Sequence, residues 1–599
     1  MFLDKMSFDY IIVGGGTAGC VLANRLTEIH NTTVLLIEAG AEPTKDKAYL
    51  GTFALHDPHG EQDWNYIAEN DGYASQAVKD QAISLIAGKI LGGSSQNSYM
   101  AYTRGAPGDY DKWESLGNEG WGWKDVLKYF KKSESIDDLE AKPLVCNTGP
   151  TNVKMPKWED RLDVLLKGFE EYGYKTLYDI NGYERQGYGT AQFAIDDHYR
   201  QDTVHTYLNQ IRNRTNFSLQ KYTEVVKILI NKKKVVTGVE AIVNGKEPIT
   251  FYARKEVIVS AGAINSPKLL MLSGIGPKQH LKENGIKMKV DSRNVGENLS
   301  DTPMVMVPLT GKEGFESFKN NADLILNLNI FPTPVAIGHI SVNPTQNSSD
   351  YQSHVLPVPS ASVIPAIFCS TIFRLDNTIC ISLAAAGIDK EIIINPLALL
   401  HPESKGNVKL NSKNPTGPPI VSLNYFDYNT DDLERHATYI EDYLNVIKTK
   451  TFKSFKSQIL KLDVKECRHL EFATHEYWKC YALNLATSMW NYSGTCAMGT
   501  VVSPRLEVKG VKHLRVADAS VMPRPVSGNI GAAVVMIAEK ASDMIKDKLH
   551  HTEPVYGYSQ AAWRYKEMAT LAMPCYTWKK TIVVTPNTDR LIRYGWYNA

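Results

Sequence analysis

Asp9–Val13 (DYIIV) is an apolar run rich in β-branched side chains, the pattern of a parallel strand buried on both faces. It runs straight into Gly14-Gly15-Gly16-Thr17-Ala18-Gly19. Apolar residues then recur at Cys20, Ala23, Leu26 and Ile29, which predicts a helix. Thr33–Ile37 predicts a second strand that ends at Glu38. Strand, GxGxxG, helix, strand and acid in one unit are the fingerprint of a dinucleotide site. Gly14 permits the tight turn, Gly16 lets the backbone approach a pyrophosphate at the helix N-terminus, and Gly19 lets the helix pack closely on the strand. Glu38, nineteen residues after Gly19, is placed to hold a ribose hydroxyl pair. This unit alone leaves NAD and FAD open.

The remaining composition sets outer bounds. A chain of 599 residues is long enough for more than one folding unit. Its formal net charge of +1 gives no bulk argument for a nucleic-acid or anionic-membrane partner. The eight cysteines are scattered, with no CxxC pair and no Cys/His cluster at metal spacing, so neither a metal site nor a disulfide framework is expected, while one or two isolated bridges stay open. No run approaches the roughly 18–20 apolar residues that span a bilayer. The N-terminal residues lack an apolar signal core, so a cytoplasmic enzyme is the expectation. Sequons at Asn31, Asn213, Asn216, Asn298, Asn347 and Asn491 pull weakly the other way.

Gly88-Lys-Ile-Leu-Gly-Gly-Ser-Ser95 places glycines and small hydroxyls at a chain reversal, where backbone N–H groups can meet a bulky planar cofactor. Tyr102–Gly105 (YTRG), Gly262–Pro267 (GAINSP), Ser273–Gly276 (SGIG), Val295–Leu299 (VGENL), His401–Gly406 (HPESKG), Asp518–Pro523 (DASVMP), Ser527–Asn529 (SGN) and Ala538–Lys540 (AEK) follow in order. Together they resemble the glucose–methanol–choline (GMC) family of flavin oxidoreductases over residues 8–548. Glu476–Cys480 (EYWKC) is similar to the insect glucose-dehydrogenase-like branch of that family.

The resemblance implies FAD and an α/β, doubly wound, Rossmann-like FAD domain. It also implies that this domain is interleaved with an α+β substrate domain on an antiparallel sheet. The expected division is a discontinuous FAD domain over 1–300 with inserted cap segments, a substrate domain over 301–480, completion of the FAD domain over 481–548, and an aromatic-rich extension over 549–599. By family position, Gly14, Gly16, Gly19 and Glu38 hold the ADP half. Val225 sits near the adenine, and Gly92, Gly93 and Ser94 run along the flavin or pyrophosphate. Asp518, Ala519, Gly528 and Asn529 meet the flavin edge. Some family members bind FAD covalently through a histidine close to the GGSS run. None lies between His59 and His198 here, so non-covalent FAD is expected.

Departures from the family fall on the catalytic positions. The family base, a histidine, stands three residues before the glycine of a Gly-Thr-Cys motif, and here that residue is Asn491. An amide is no general base near neutral pH. The second family position, eight residues before Glu539, is Gly531. Asn97 and Ser98 also depart from the first signature. Three readings stay open. One is FAD-dependent oxidation of an apolar or steroid-like alcohol. Another is non-redox isomerase or lyase work on an unsaturated carbonyl, for which the family has examples in hydroxynitrile lyases and an insect hexenal isomerase. The third is a non-catalytic flavin or ligand carrier. Tyr492 and His475 are candidate acid/base groups, each set against a structural role.

Other signals are bland. Ser94, Ser95 and Ser493 lack a nucleophile elbow. Lys232–Lys234 reads as a hairpin tip and Cys496 as packing. Ile330–Phe373 reads either as pocket wall or as ordinary core. The sequence leaves the oligomeric state open.

Overall fold

The computed structural model describes residues 6–44, 59–136, 148–156, 161–197, 199–313, 334–343 and 346–552. The extension assigned to 549–599 lies outside the described residues from 553 onward.

The chain opens with β1 (Ser7–Val13), α1 (Thr17–Leu26) and β2 (Val34–Ile37). The pattern through Ile29 overstates α1 by a turn. Thr27 Oγ1 donates to the carbonyls of Ala23 and Asn24, and the Asn216 amide takes the carbonyls of Thr27 and Ile29, which ends the helix at Leu26. Further along the chain, the elements that build the two main sheets include the short strands β3 (Thr176–Leu177) and β4 (Gly187–Thr190), β5 (Phe217–Gln220), β6 (Thr223–Ile230), β7 (Val236–Val243) and β8 (Pro248–Val259), followed by α2 (Gly262–Leu272). The later elements used below are β9 (Pro303–Met306), β10 (Ala336–Ile340), β11 (Tyr351–Val358), β12 (Pro396–Leu399), α3 (His475–Leu485), β13 (Thr487–Ser488), β14 (Leu514–Val516) and α4 (Gly531–Thr552).

The first sheet runs β6–β7–β8–β1–β2–β5, with β14 paired to β8. The β5–β2–β1–β8–β14 block is parallel. Its central strands are apolar on both faces because helices cover both. Ile11, Ile12, Leu36, Val257 and Ile258 are accordingly buried. β6 and β7 add an antiparallel ribbon whose tip is Lys232–Lys234. The second sheet runs β13–β9–β12–β11–β10–β4–β3 and is antiparallel except for β3–β4. Its strands β3 and β4 come from residues assigned to the first domain. Each sheet has its own apolar core.

Cys369–Cys380 and Cys467–Cys480 are disulfide bridges with sequence separations of 11 and 13 residues, isolated bridges of the kind the scattered cysteines left room for. Their spacing matches no small-domain pattern, so only the fold brings the pairs together. Several buried charges are also fully paired. Arg104 is wholly buried and pairs through Nε and Nη2 with Glu134, whose Oε2 also accepts from Tyr102 Oη at 2.7 Å. Among the described residues, no helix is long and apolar enough to cross a membrane.

Removing one partner of a buried pair leaves the other charge uncompensated, at a cost of about 3–5 kcal/mol. Arg104→Met is expected to lower the midpoint of urea unfolding accordingly, and Arg104→Met with Glu134→Leu to recover part of the loss. Equal midpoints for wild type and Arg104→Met would remove this pair from the stability account.

Candidate active site

A cavity of about 470 Å³ lies between the first sheet's C-terminal ends and one face of the second sheet. Gly14, Gly16 and Glu38 line one part of it. Gly93 and Ser94 follow, and Asn491, Tyr492, Asn529 and Gly531 line another part.

The glycine turn owes its shape to backbone crowding. Gly14 has φ +101°, and a Cβ there would lie 2.4 Å from the Ser260 carbonyl oxygen. Gly19 does not reach the cavity. A Cβ on it would stand 1.9 Å from the Gly14 carbonyl oxygen, so its role is close helix packing. Gly92 is also not a wall residue. Its N–H donates to the Gly15 carbonyl at 2.7 Å and docks the second glycine turn onto the first. A Cβ on Gly93 would meet Gly16 Cα at 2.7 Å. Ser94 then opens a short helix that faces the cavity.

Glu38 is buried, and its two carboxylate oxygens accept the N–H groups of Gly15 (2.8 Å) and Gly40 (2.7 Å). Burial pushes its pKa up to about 7, and those two N–H donors hold it from rising further. Val225 lines the same end with Thr223, Glu224 and Lys268. Burial lowers the Lys268 ammonium, and Glu224 at 3.7 Å opposes that shift.

Asp518 is a builder of the cavity edge. Its Oδ2 accepts Gly262 N–H and Ser266 Oγ–H at 2.8 and 2.6 Å, and its Oδ1 accepts both groups of Ser520. Burial raises its pKa. Ala519 beside it lines the cavity. Gly528 does not, because its α-carbon faces Thr103, Gln352 and His339. A Cβ there would be 2.8 Å from Thr103 Oγ1 and 3.3 Å from both Gln352 Nε2 and His339 Nε2. Asn529 lines the cavity with Oδ1 buried and unpartnered, as is Asn97 Oδ1. Buried acceptors of this kind call for a donor.

The backbone cradle at Gly14–Gly16 and Gly93, the Glu38 carboxylate and the unpaired Asn529 acceptor all fit FAD. Among the described residues, no cluster could hold a metal ion.

At the other end the wall is aromatic. Phe373 stacks on Trp490 with centroids 5.9 Å apart, Phe368 sits between Phe373 and Tyr99, and Leu356 and Ile372 also line it. Leu356, Phe368, Ile372 and Phe373 come from the Ile330–Phe373 stretch, for which ordinary core is the favoured reading from sequence, and here they line the cavity. The charged lining groups Glu38, Asp202, Glu224, Lys268 and Asp518 all belong to segments packed on the first sheet.

Asn491 is buried. Its backbone N–H donates to Asp301 Oδ1 at 3.0 Å and its Nδ2 to Thr302 Oγ1 at 3.2 Å. One Nδ2 hydrogen and Oδ1 are left for a ligand. Tyr492 lines the cavity, but burial pushes its phenol well above the ordinary value, which removes it as a base. His475 lies outside the cavity. It is held on α3 between Glu441 (3.0 Å) and Glu434 (2.6 Å), whose hydrogen bonds raise its pKa. Gly531 lines the cavity, and a Cβ built on it meets nothing within 4 Å. At the second family position the chain therefore offers no side chain to the cavity.

The residue that sequence reasoning missed is His354 on β11. Among the described residues it is the one histidine lining the cavity. No motif surrounds it, and only its alternation with Gln352 and Leu356 along the strand marks it as facing one way.

Comparison with known proteins agrees with this geometry. The GMC oxidoreductase family models match residues 8–304 and 402–538. An ecdysone oxidase of Bombyx mori is 35% identical over 571 residues, spanning 90% of this chain and 82% of that protein. A glucose dehydrogenase [FAD, quinone] of Drosophila melanogaster is 31% identical, spanning 90% of this chain and 87% of that protein. Among solved structures, a formate oxidase of Aspergillus oryzae superposes with a TM-score of 0.75 at 25% identity, covering 91% of this chain and 99% of that chain.

Gly14→Ala is expected to yield protein with little bound flavin, because the new Cβ collides with backbone that cannot move aside. Gly531→Ala is expected to keep full flavin content and an unchanged melting temperature. Absorbance at 450 nm per mole of purified protein checks both. Equal flavin loading in the two variants would contradict the steric argument.

Proposed function

Because the chain belongs to the GMC oxidoreductase family, we propose that it oxidises the CH–OH group of an apolar, steroid-like alcohol, using FAD. The observation that carries this reading is the uncharged aromatic end of the cavity, continuous with the dinucleotide end. Among the described residues, no acidic side chain lines that end to balance a cationic alcohol such as choline. The aromatic faces of Tyr99, Phe368, Phe373 and Trp490 can bury a large apolar body. The similarity to ecdysone oxidases of Bombyx mori and Spodoptera littoralis, 35% and 33% identical, supports the same substrate class.

FAD, when bound, supplies a two-electron acceptor. Gly14, Gly16, Glu38 and Val225 would hold its ADP half, and Gly93, Ser94, Ala519 and Asn529 would flank the rest. The chain's own contribution to chemistry is position and exclusion of water. Asn491 is held by Asp301 and Thr302, so its free Nδ2 hydrogen can donate to a substrate oxygen as negative charge develops there.

The two disulfides favour folding in an oxidising compartment over the cytoplasmic location expected from the N-terminal residues.

Purified protein, made anaerobic and mixed with ecdysone, is expected to lose its flavin absorbance near 450 nm, while choline leaves it unchanged. Asn491→His is expected to speed the bleaching by about tenfold or more, within the range a positioned base contributes. Rearrangement of an unsaturated aldehyde with no bleaching by any alcohol would point to isomerase chemistry instead.

A further inference from the structure

We propose that His354 is the catalytic proton acceptor of this site, taking over from the family histidine that Asn491 replaces. The inference rests on the alcohol-oxidising reading above and adds a residue to it.

The two family base positions are empty of basic groups. Asn491 carries an amide, and Gly531 has no side chain. A histidine nonetheless lines the same cavity. His354 sits on β11, paired through the backbone to Ile337 of β10. Side chains alternate along a strand, so Gln352, His354 and Leu356 share one face. That face is located by a contact two residues away. A Cβ on Gly528 would lie 3.3 Å from Gln352 Nε2, so the 528–530 loop rides over this part of β11. His354 follows Gln352 by about 7 Å along the strand. Asn529, in that loop, and Gly531, at the start of α4, line the cavity that His354 also lines.

The imidazole is uncommitted. Among the described residues, neither ring nitrogen has a hydrogen-bond partner, and Nε2 is buried. His339 differs, since its Nε2 already meets Gln352 Nε2 at 3.0 Å. A buried polar ring with no partner is costly and calls for a ligand.

The ring is also in the right protonation state. Burial lowers the His354 pKa to about 4, so it is neutral at physiological pH and can accept a proton. His339 on β10 is the neighbouring titratable group; burial lowers its pKa, and His354 and Arg185 lower it further. Tyr66, Tyr99, Tyr102 and Tyr492 share the cavity, and Glu38, Asp202, Glu224, Lys268 and Asp518 line it from segments packed on the first sheet. Burial is the cause of the His354 shift.

The step balances as follows. The substrate O–H bond breaks and its proton passes to the imidazole. The C–H bond on the same carbon breaks, and its hydrogen leaves with both electrons to oxidised FAD. The C–O bond becomes a carbonyl, so the alcohol is oxidised and FAD is reduced by two electrons. Asn491 donates to the oxygen during the step, and His354 takes the proton.

The test uses the flavin-loaded full chain. Stopped-flow flavin reduction by ecdysone is measured for wild type, His354→Gln, Asn491→His and the double variant, each checked for equal flavin content and melting temperature. Histidine labelled with ¹⁵N gives a second readout in wild type, independent of turnover. Its His354 resonance, assigned by its loss in His354→Gln, is followed with cyclohexanol and with cyclohexane as a hydroxyl-free control. The expected results are a reduction rate about 10²–10⁴-fold lower in His354→Gln, and restoration of at least tenfold by Asn491→His in the same chain. In wild type the rate is expected to be flat from pH 6 to 8 and to fall as pH drops toward 4, because protonation removes the acceptor. The resonance is expected to move with cyclohexanol alone.

Equal reduction rates in wild type and His354→Gln would overturn the role of His354 and leave alcohol oxidation standing. Absence of reduction in wild type and in Asn491→His would overturn the oxidation reading itself. In that event the hydroxyl-dependent resonance shift decides for His354 as the proton-handling group of the cavity, and its absence decides against.

Discussion

Backbone touches backbone at three places around the dinucleotide turn, and a side chain fits in none of them. Gly14 lies against Ser260, Gly19 against Gly14, and Gly93 against Gly16. These contacts bring the ends of β1 and β8, the start of α1 and the 88–95 reversal together around one cleft. The N–H of Gly92 to the carbonyl of Gly15 adds a directional bond to the steric fit. Everything downstream is referred to this point, because the cavity extends from it toward the second sheet.

Buried carboxylates then tie distant parts of the chain to that cleft. Glu539 on α4 accepts from Arg25 of α1 and from Tyr207, and pairs with Lys132. Asp518 binds the N-terminal end of α2. Asp301 accepts from Tyr425, Ser488 and the backbone of Asn491, which sets the last segment of the catalytic wall. Each acid joins segments far apart in sequence, so the interleaved order of the chain is held by hydrogen bonds as much as by apolar packing. Where both partners are buried, as for Arg104 and Glu134, the pairing is compulsory once the fold exists.

The opening strand, glycine turn and Glu38 were legible because their geometry is local. A strand, a tight turn and a helix within thirty residues leave few alternatives for the glycines. Gly92 and Gly528, also glycines within cofactor motifs, are absent from the cavity lining, and each stands close to a neighbouring loop or strand. The Cys369–Cys380 and Cys467–Cys480 bridges were not legible, since their spacing resembles no framework and only the surrounding helices bring the sulfurs together. His475 looked like a candidate from sequence and proves to be an ion-paired group on α3, outside the cavity.

The amino-acid sequence by itself determined the dinucleotide unit, the family plan and the loss of basic groups at Asn491 and Gly531. All three follow from residue type at fixed spacing. Tertiary structure decided what replaces them. His354 reaches the cavity because β11 pairs with β10 and β12 in one register, which turns alternate residues of that strand toward the first sheet. A register is a property of paired strands, and no spacing within a single strand encodes which of its faces will meet the cofactor.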